Sequence, residues 1–453
     1  MVGITVRDIV EATHGRLLCG DADTIVTDIC IDSREIKEGD LFVPIIGQKV
    51  DAHTFIDSVM GIGAATLTSE HDSVEAEKPY IRVENTEEAL TNIGRYVRGR
   101  LSIPFVAVTG SVGKTTTRNM VATALRSNYH VCETIKNYNS QIGVPIMMCK
   151  VRPEDEIAVL ECGMSEPGQI HILSELVRPK YAVVSVIGVA HIENLKTQEN
   201  IRDEKLSIID YLDPEGVLFL NGDDAMLADQ KDKLPVNTIY YGTQDWCDYY
   251  ADEIQYDHGR SYFVCVHGDE KVSVELSVLG KHNVLNCVGA LAVAHTQGIP
   301  LEKAAAEFAY YNGIRQKIIE LENRFRVIDD TYNASPDSMR ASLDVLCHIE
   351  TTGRRVAVLG DMFELGENSE NYHYQVGEYL AGLPIDELIV VGDHARMIRK
   401  AVEDSGKKIK LCTFTENEEV AMYLIGTLLP EDIVLLKGSN GMKMWEILEV
   451  LQQ

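Results

Sequence analysis

The stretch FVAVTGSVGKTTTRNMVATAL, residues 105–125, restricts the fold of this chain more than any other. The unbroken apolar run 105–108 has the character of a strand buried on both faces, as in a parallel sheet covered by helices. Residues 115–125 have helical spacing, so the turn between them lies at a helix N-terminus, where free backbone N–H groups attract an anion. Gly110 and Gly113 let the loop of Gly110, Ser111, Val112 and Gly113 curl its amides around phosphate oxygens. Lys114 can reach terminal phosphates, and Thr115, followed by Thr116, offers a hydroxyl to Mg2+. The longer phosphate-loop pattern G-x-x-x-x-G-K-[ST] is not met, because Val108 stands where its first glycine would be.

The rest of the chain places this loop in a larger frame. At 453 residues the chain has the length of about three domains. Residues 1–83 alternate short apolar runs with turns and read as a small mixed α/β domain. From Pro104 the runs FVAVTG, EIAVLECGM, YAVVSVIG and GVLFLNGDD each lead into a loop or helix. This rhythm predicts a central domain, 84–312, built on a mostly parallel sheet with helices on both faces and ligands at the carboxyl ends of its strands. Within it, SYFVCVHGDEKVSVELSVLG carries two alternating runs around HGDE and reads as an antiparallel hairpin. A third rhythm, FRVIDDTYN, RRVAVLGDM, ELIVVGDHA and DIVLLKGSNGM, predicts a Rossmann-like domain over 313–453. The fold class is therefore α/β in three domains.

A net charge of -28 argues against nucleic acid or an anionic membrane surface as partner, so an anionic substrate must meet local positive charge. No apolar run is long enough for a membrane span. The ten cysteines lack C-x-x-C spacing and no basic-apolar leader precedes the fold, so reduced thiols and a cytoplasmic location are expected.

Several residues sit where chemistry could occur. Glu161 ends an apolar strand in VLECGM and suits Mg2+, which prefers oxygen ligands; a solvated strand-end charge is the plain alternative. His191, at the end of the next strand in VIGVAHIENL, is either structural or a metal ligand. Lys205 lies on the charged helix TQENIRDEKLSIIDYL, where a solvated face is the pattern's own reading. Asn283 and Asn286, three apart in GKHNVLNCVGALAVA, face the same way and could read a base edge or cap the helix. Asp330, Asn333, Asp361 and Glu364 fall in loops after strands, positions suited to ribose, phosphate or substrate.

Together and in order, DSREIKEGDLFVPIIGQKVDAH, TGSVGKTTT, NYNSQIGVP, ECGM, IGVAHIE, ENIRDEKLSI, GKHNVLN, DDTYNASPDSM, LGDMFELG and LLKGS resemble the Mur ligases, ATP-dependent amide-forming enzymes of peptidoglycan precursor synthesis. The family's own loop has the shorter form seen here. DDTYNASP and LGDMFELG point within the family to the reaction joining D-alanyl-D-alanine to UDP-N-acetylmuramoyl-tripeptide through an acyl phosphate. By this resemblance Lys114 would hold the β and γ phosphates of ATP, Thr115 and Glu161 a first Mg2+, and His191 a second. Lys205 would be carbamylated, turning an amine into an anionic oxygen ligand. Asn283 and Asn286 would face adenine; Arg315 and Asp330 would reach phosphates or ribose, with Asn333 close by. Ser33 and Arg34 would belong to the UDP-sugar site and Asn139 to the substrate side. Partners would be these small molecules, and the assembly a monomer. Departures from the family pattern, Ala52 in DAH, Ser335 in NASP and Asn440 in GSNGM, touch the substrate side. Another Mur ligase, a folylpolyglutamate synthase-like ligase, or a non-catalytic nucleotide-binding scaffold are the competing readings.

Overall fold

The computed structural model describes residues 4–47, 49–313, 315–321 and 325–453. Its centre is a nine-stranded sheet. Phe105–Thr109, the earliest of these strands in the sequence, lies between Ile157–Glu161 and Tyr181–Val184, parallel to both. Val131–Glu133 closes one edge; on the other side Val217–Asn221 and Asn237–Gly242 continue the parallel order.

Side chains alternate across this sheet as the strand period requires. Phe105, Ala107, Ala158, Leu160, Ala182 and Val184 enter one apolar core. Val106, Val108, Ile157, Val159, Val183 and Phe219 enter the core on the other face. Helices Thr86–Arg98, Gly143–Lys150 and Gln169–Val177 supply residues to the first core, and Lys114–Arg126 and Lys281–Thr296 to the second. Two-sided burial explains why these strands read as continuous apolar runs.

The expected hairpin is present: Arg260–His267 pairs antiparallel with Glu270–Leu276. It is joined to the main sheet by Tyr249–Asp257, which runs antiparallel to the hairpin and parallel to Asn237–Gly242. This joining strand carries no strong sequence signal, since only Tyr249 and Ala251 of its nine residues are buried.

The N-terminal residues form a five-stranded sheet, parallel except for Arg16–Cys19, and a small antiparallel pair, Ile4–Thr5 with Ile25–Val26. Helix Thr86–Arg98 packs against both Val6–Thr13 and Gly143–Lys150 and so ties this unit to the centre. Its start is fixed by Asn85, whose side chain accepts from the amides of Glu87 and Glu88.

The C-terminal residues form a six-stranded sheet in the order Lys317–Glu320, Arg326–Asp330, Ile433–Lys437, Arg355–Gly360, Glu387–Val391 and Lys410–Phe414. Only Lys317–Glu320 is antiparallel. Cores on its two faces again take alternate residues, Ala357 and Leu359 on one side and Val356 and Val358 on the other. Leu279 belongs to the first of these cores, and Val189 and Tyr256 pack against it, so the C-terminal unit is docked on the central one.

Candidate active site

The phosphate loop is set by the strand beside it. Gly110 has φ 147, and a Cβ there would collide with Ser185 Oγ; Gly113 has φ 83, in the left-handed region. Ser185 Oγ donates to the Val112 carbonyl at 2.6 Å, and the Ser111 amide donates to the Val186 carbonyl at 2.7 Å. Beneath the loop, Thr117 Oγ1 donates to Asn286 Oδ1 at 3.0 Å. Lys114, the first residue of helix Lys114–Arg126, curls back so that Nζ donates to the Gly110 carbonyl at 2.8 Å. Thr115 and Thr116 are half-buried on the following turn.

Strand register brings Glu161 opposite Val108, next to the loop. It is 4% exposed, and Asn139 Nδ2 donates to its Oε1 at 2.8 Å. Asn139, expected on the substrate side, thus holds Glu161. Lys136, just ahead of it, pairs with Glu35 at 2.7 Å, and Glu35 follows Arg34.

Lys205 departs from its pattern reading as a solvated charge. It lies on the inner face of helix Gln198–Leu206, 1% exposed, and its side chain makes no hydrogen bond or ion pair among the described residues. Burial drives its pKa well down, and the charge of Lys114 adds to this. Burial likewise lowers Lys114, opposed by Glu161 and reinforced by Arg315. His191 is lowered chiefly by burial, with Lys114 and Lys205 pushing the same way and Glu364 opposing them. Lys114, Glu161, His191, Lys205 and Arg315 therefore share one electrostatic neighbourhood.

The C-terminal unit completes it. Arg315 stacks its guanidinium over the Tyr332 ring, 3.3 Å from the centroid. Asp330 ends its strand 9% exposed, accepting from Lys437 Nζ at 2.6 Å and Ser342 Oγ at 2.5 Å. Lys437 Nζ also donates to the Asn333 carbonyl at 3.1 Å, while the exposed Asn333 side chain accepts from the Ala334 amide. Asn283 and Asn286 share a helix face but not a partner: Asn283 Nδ2 donates to the Leu279 carbonyl at 2.7 Å.

Ser33 and Arg34 are not joined to this cluster by any hydrogen bond or ion pair among the described residues. Arg34 is exposed and forks onto Asp32 at 2.9 and 2.6 Å, holding that carboxyl at about 2. The three departures have local explanations. Ser335 caps helix Pro336–His348. Asn440 Nδ2 donates to the Tyr332 carbonyl at 3.1 Å. Ala52 sits in a turn closed by Asp51 and the buried His53, 2.7 Å apart.

Sequence reasoning missed Ser185, Ser342 and Lys437, and it named Glu364 only as a loop residue suited to ribose, phosphate or substrate, without its contact to His191. Lys437 carried a usable signal, a charge ending an apolar strand, as Glu161 does. Glu364 Oε2 lies 2.6 Å from His191 Nδ1, beside a cavity of about 730 Å3 lined in part by Glu193, Lys196 and Phe363.

Family models match three segments: the Mur ligase middle domain over 108–294, the Mur ligase, glutamate ligase domain over 314–440, and the Mur ligase family, catalytic domain over 25–98. The UDP-N-acetylmuramoyl-tripeptide--D-alanyl-D-alanine ligase of Bacillus subtilis is 32% identical, covering 100% of this chain and 99% of its own. The Escherichia coli protein of that name is 29% identical with the same coverage. Among solved structures, MurF from Acinetobacter baumannii matches with a TM-score of 0.90 at 29% identity, over 99% of this chain and 98% of that one. MurF ligase from Thermotoga maritima in complex with ADP gives 0.83 at 29% identity, over 95% and 98%. A Mycobacterium tuberculosis folylpolyglutamate synthase, at 14% identity, shares the fold alone.

Proposed function

The chain belongs to the Mur ligase family, being 32% identical over its whole length to a curated member, and on that premise we propose that it joins D-alanyl-D-alanine to UDP-N-acetylmuramoyl-tripeptide. It is an ATP-dependent ligase that forms a C–N bond. The observation that carries the choice of substrates is that relatives named for this reaction match across 100% of the chain, beyond its nucleotide-binding middle.

A carboxylate is a poor electrophile and a mixed anhydride a good one. In this reading the terminal carboxylate of the tripeptide attacks the γ-phosphorus of ATP, and ADP leaves with the bridging oxygen. The dipeptide amine then attacks the acyl carbon, and the tetrahedral intermediate expels phosphate as the nitrogen loses a proton. The protein positions the reactants and offsets charge. Backbone amides of residues 110–113 hold the β and γ phosphates, and Lys114 faces the oxygens on which charge builds. Asn283 and Asn286 flank the adenine, Arg315, Asp330 and Asn333 serve the ribose and phosphates, and Ser33 and Arg34 serve the UDP-sugar. Asn139 orients Glu161 beside the reacting carboxylate.

The donors suit Mg2+. Glu161 keeps an oxygen that Asn139 does not use, and the Thr115 hydroxyl makes no hydrogen bond among the described residues. Bound Mg2+ would neutralise charge on the transferring phosphoryl group. Lys205, buried with no ion pair among the described residues and depressed in pKa, is a nucleophilic amine suited to adding CO2. The resulting carbamate would offset the charge of Lys114 and, with His191, supply ligands to a second Mg2+.

The division of labour follows the sheets: residues 1–83 for the sugar nucleotide, 84–312 for ATP, and 313–453 closing the ATP and dipeptide sites. A monomer working in the cytoplasm fits the ten unpaired cysteines. The test is phosphate release from ATP with UDP-N-acetylmuramoyl-tripeptide, with and without the dipeptide, followed by product mass. Release requiring both, with a product heavier by the dipeptide less water, supports the reading. ATP binding without release overturns it.

A further inference from the structure

Two residues that meet across the central and C-terminal units both carry backbone conformations unusual for side chains of their size. His191 has φ 62, ahead of helix Ile192–Leu195, and Glu364 has φ 61, in the loop after strand Arg355–Gly360. Such conformations persist only where the surroundings impose them, and they gather at functional sites. Here they bring Glu364 Oε2 to 2.6 Å from His191 Nδ1. The contact is close but off the line of a good hydrogen bond, and no other partner takes that nitrogen among the described residues. The two loops are in contact around them: a Cβ on Gly366 would lie 3.5 Å from Glu193 Cα, an ordinary van der Waals distance.

Glu364 is 61% exposed, so a folding role in a core does not account for it. A histidine that ligates a metal through one ring nitrogen generally presents the other to a carboxylate, which fixes tautomer and ring orientation. Resting on the metal-binding role given to His191 above, we propose that Glu364 is a positioning residue for His191. Its carboxylate takes the Nδ1 side of the ring and leaves Nε2 as the nitrogen that would be available to a metal. Because Glu364 belongs to the C-terminal unit and His191 to the central one, the ring is set only while the units are docked.

The full-length wild-type protein is compared with Glu364→Gln, which keeps size and loses charge, Glu364→Asp, and the exposed charge control Glu370→Gln. Mn2+ binding is titrated by electron paramagnetic resonance with a non-hydrolysable ATP analogue present, and kcat and the KM for ATP are measured alongside. Glu364→Gln should weaken the second Mn2+ by roughly 10–100-fold and lower kcat by a similar factor, with the KM for ATP within about twofold. Glu364→Asp should recover part of both, and Glu370→Gln should match wild type. A merely structural latch would raise KM and leave Mn2+ affinity alone, which overturns the proposal. So does a wild-type protein that binds only one Mn2+. A wild type that binds two Mn2+ yet forms no product counts against the assigned reaction, while the Mn2+ comparison still decides the role of Glu364.

Discussion

Lys437 Nζ and Asp330 Oδ2 lie 2.6 Å apart at directly paired positions of two parallel strands, with side chains 2% and 10% exposed. Removing one partner of such a pair leaves the other charge buried alone, which costs about 3–5 kcal/mol. Lys437→Met should therefore destabilise the C-terminal unit by about that amount in urea unfolding. Adding Asp330→Asn should restore part of it; a double variant as unstable as the single one would show that the pair's charge is not the cause.

Among the described residues the Lys114 side chain makes only hydrogen bonds to backbone, at Gly110 and Ser111. Lys114→Ala should leave the fold intact and lower kcat by roughly 100-fold or more, because in the proposed reaction the transferring phosphoryl group loses a positioned cation. Phosphate release measures this, and unchanged ATP consumption would remove the phosphate-loop assignment.

Lys205 sets function against stability. An amine buried with no hydrogen-bond or ion-pair partner among the described residues is unfavourable in its charged form, so the unfolded chain binds its proton more readily than the native one. Lys205→Met should raise the Tm of the ligand-free protein by a few degrees, on the order of 2–4 °C per kcal/mol for a domain of this size, while abolishing turnover. In Lys205→Ala, added short carboxylic acids should restore part of the activity by standing in for the carbamate. A fall in Tm for the methionine variant, or wild-type turnover in either, would contradict this account.

His373 is buried and anchors the loop that carries Glu364. Its Nε2 accepts from the Met362 amide at 2.9 Å, and Nδ1 faces the Ser369 carbonyl at 2.7 Å, so the neutral ring is the one that fits. Burial lowers its pKa, opposed by the Ser369 hydrogen bond and Asp361, with His394 adding to the lowering. With the folded pKa below the unfolded one, the unfolded state takes up a proton first, and stability falls as pH drops below about 6.5. Amide exchange at Met362, corrected for intrinsic rates, should accelerate in that range. His373→Phe should lose this pH dependence; a wild type with none would refute the assignment.

Much of this was legible because it is local. The run at 105–108, the glycines and the helical spacing after them specify strand, loop and helix from neighbours in the chain, and repetition of that unit specifies a parallel sheet. What could not be read is partner choice. Asn283 and Asn286 were correctly placed on one helix face, yet one bonds Leu279 and the other Thr117. Lys205 looked solvated because its helix is charged, whereas its own position faces inward. His191 and Glu364 were each visible as residues in loops after strands, but their meeting depends on two sheets docking, for which no local pattern exists.

The hydrogen bond from Thr117 to Asn286 spans 169 residues of sequence. A ribosome adding about 5–20 residues per second needs roughly 8–34 s to cross that interval. Throughout that time the growing chain has the strand, the glycines and Lys114, but not the helix that supports the loop from below. Nascent chains and prematurely terminated fragments ending before Asn286 therefore lack this support beneath the glycine loop.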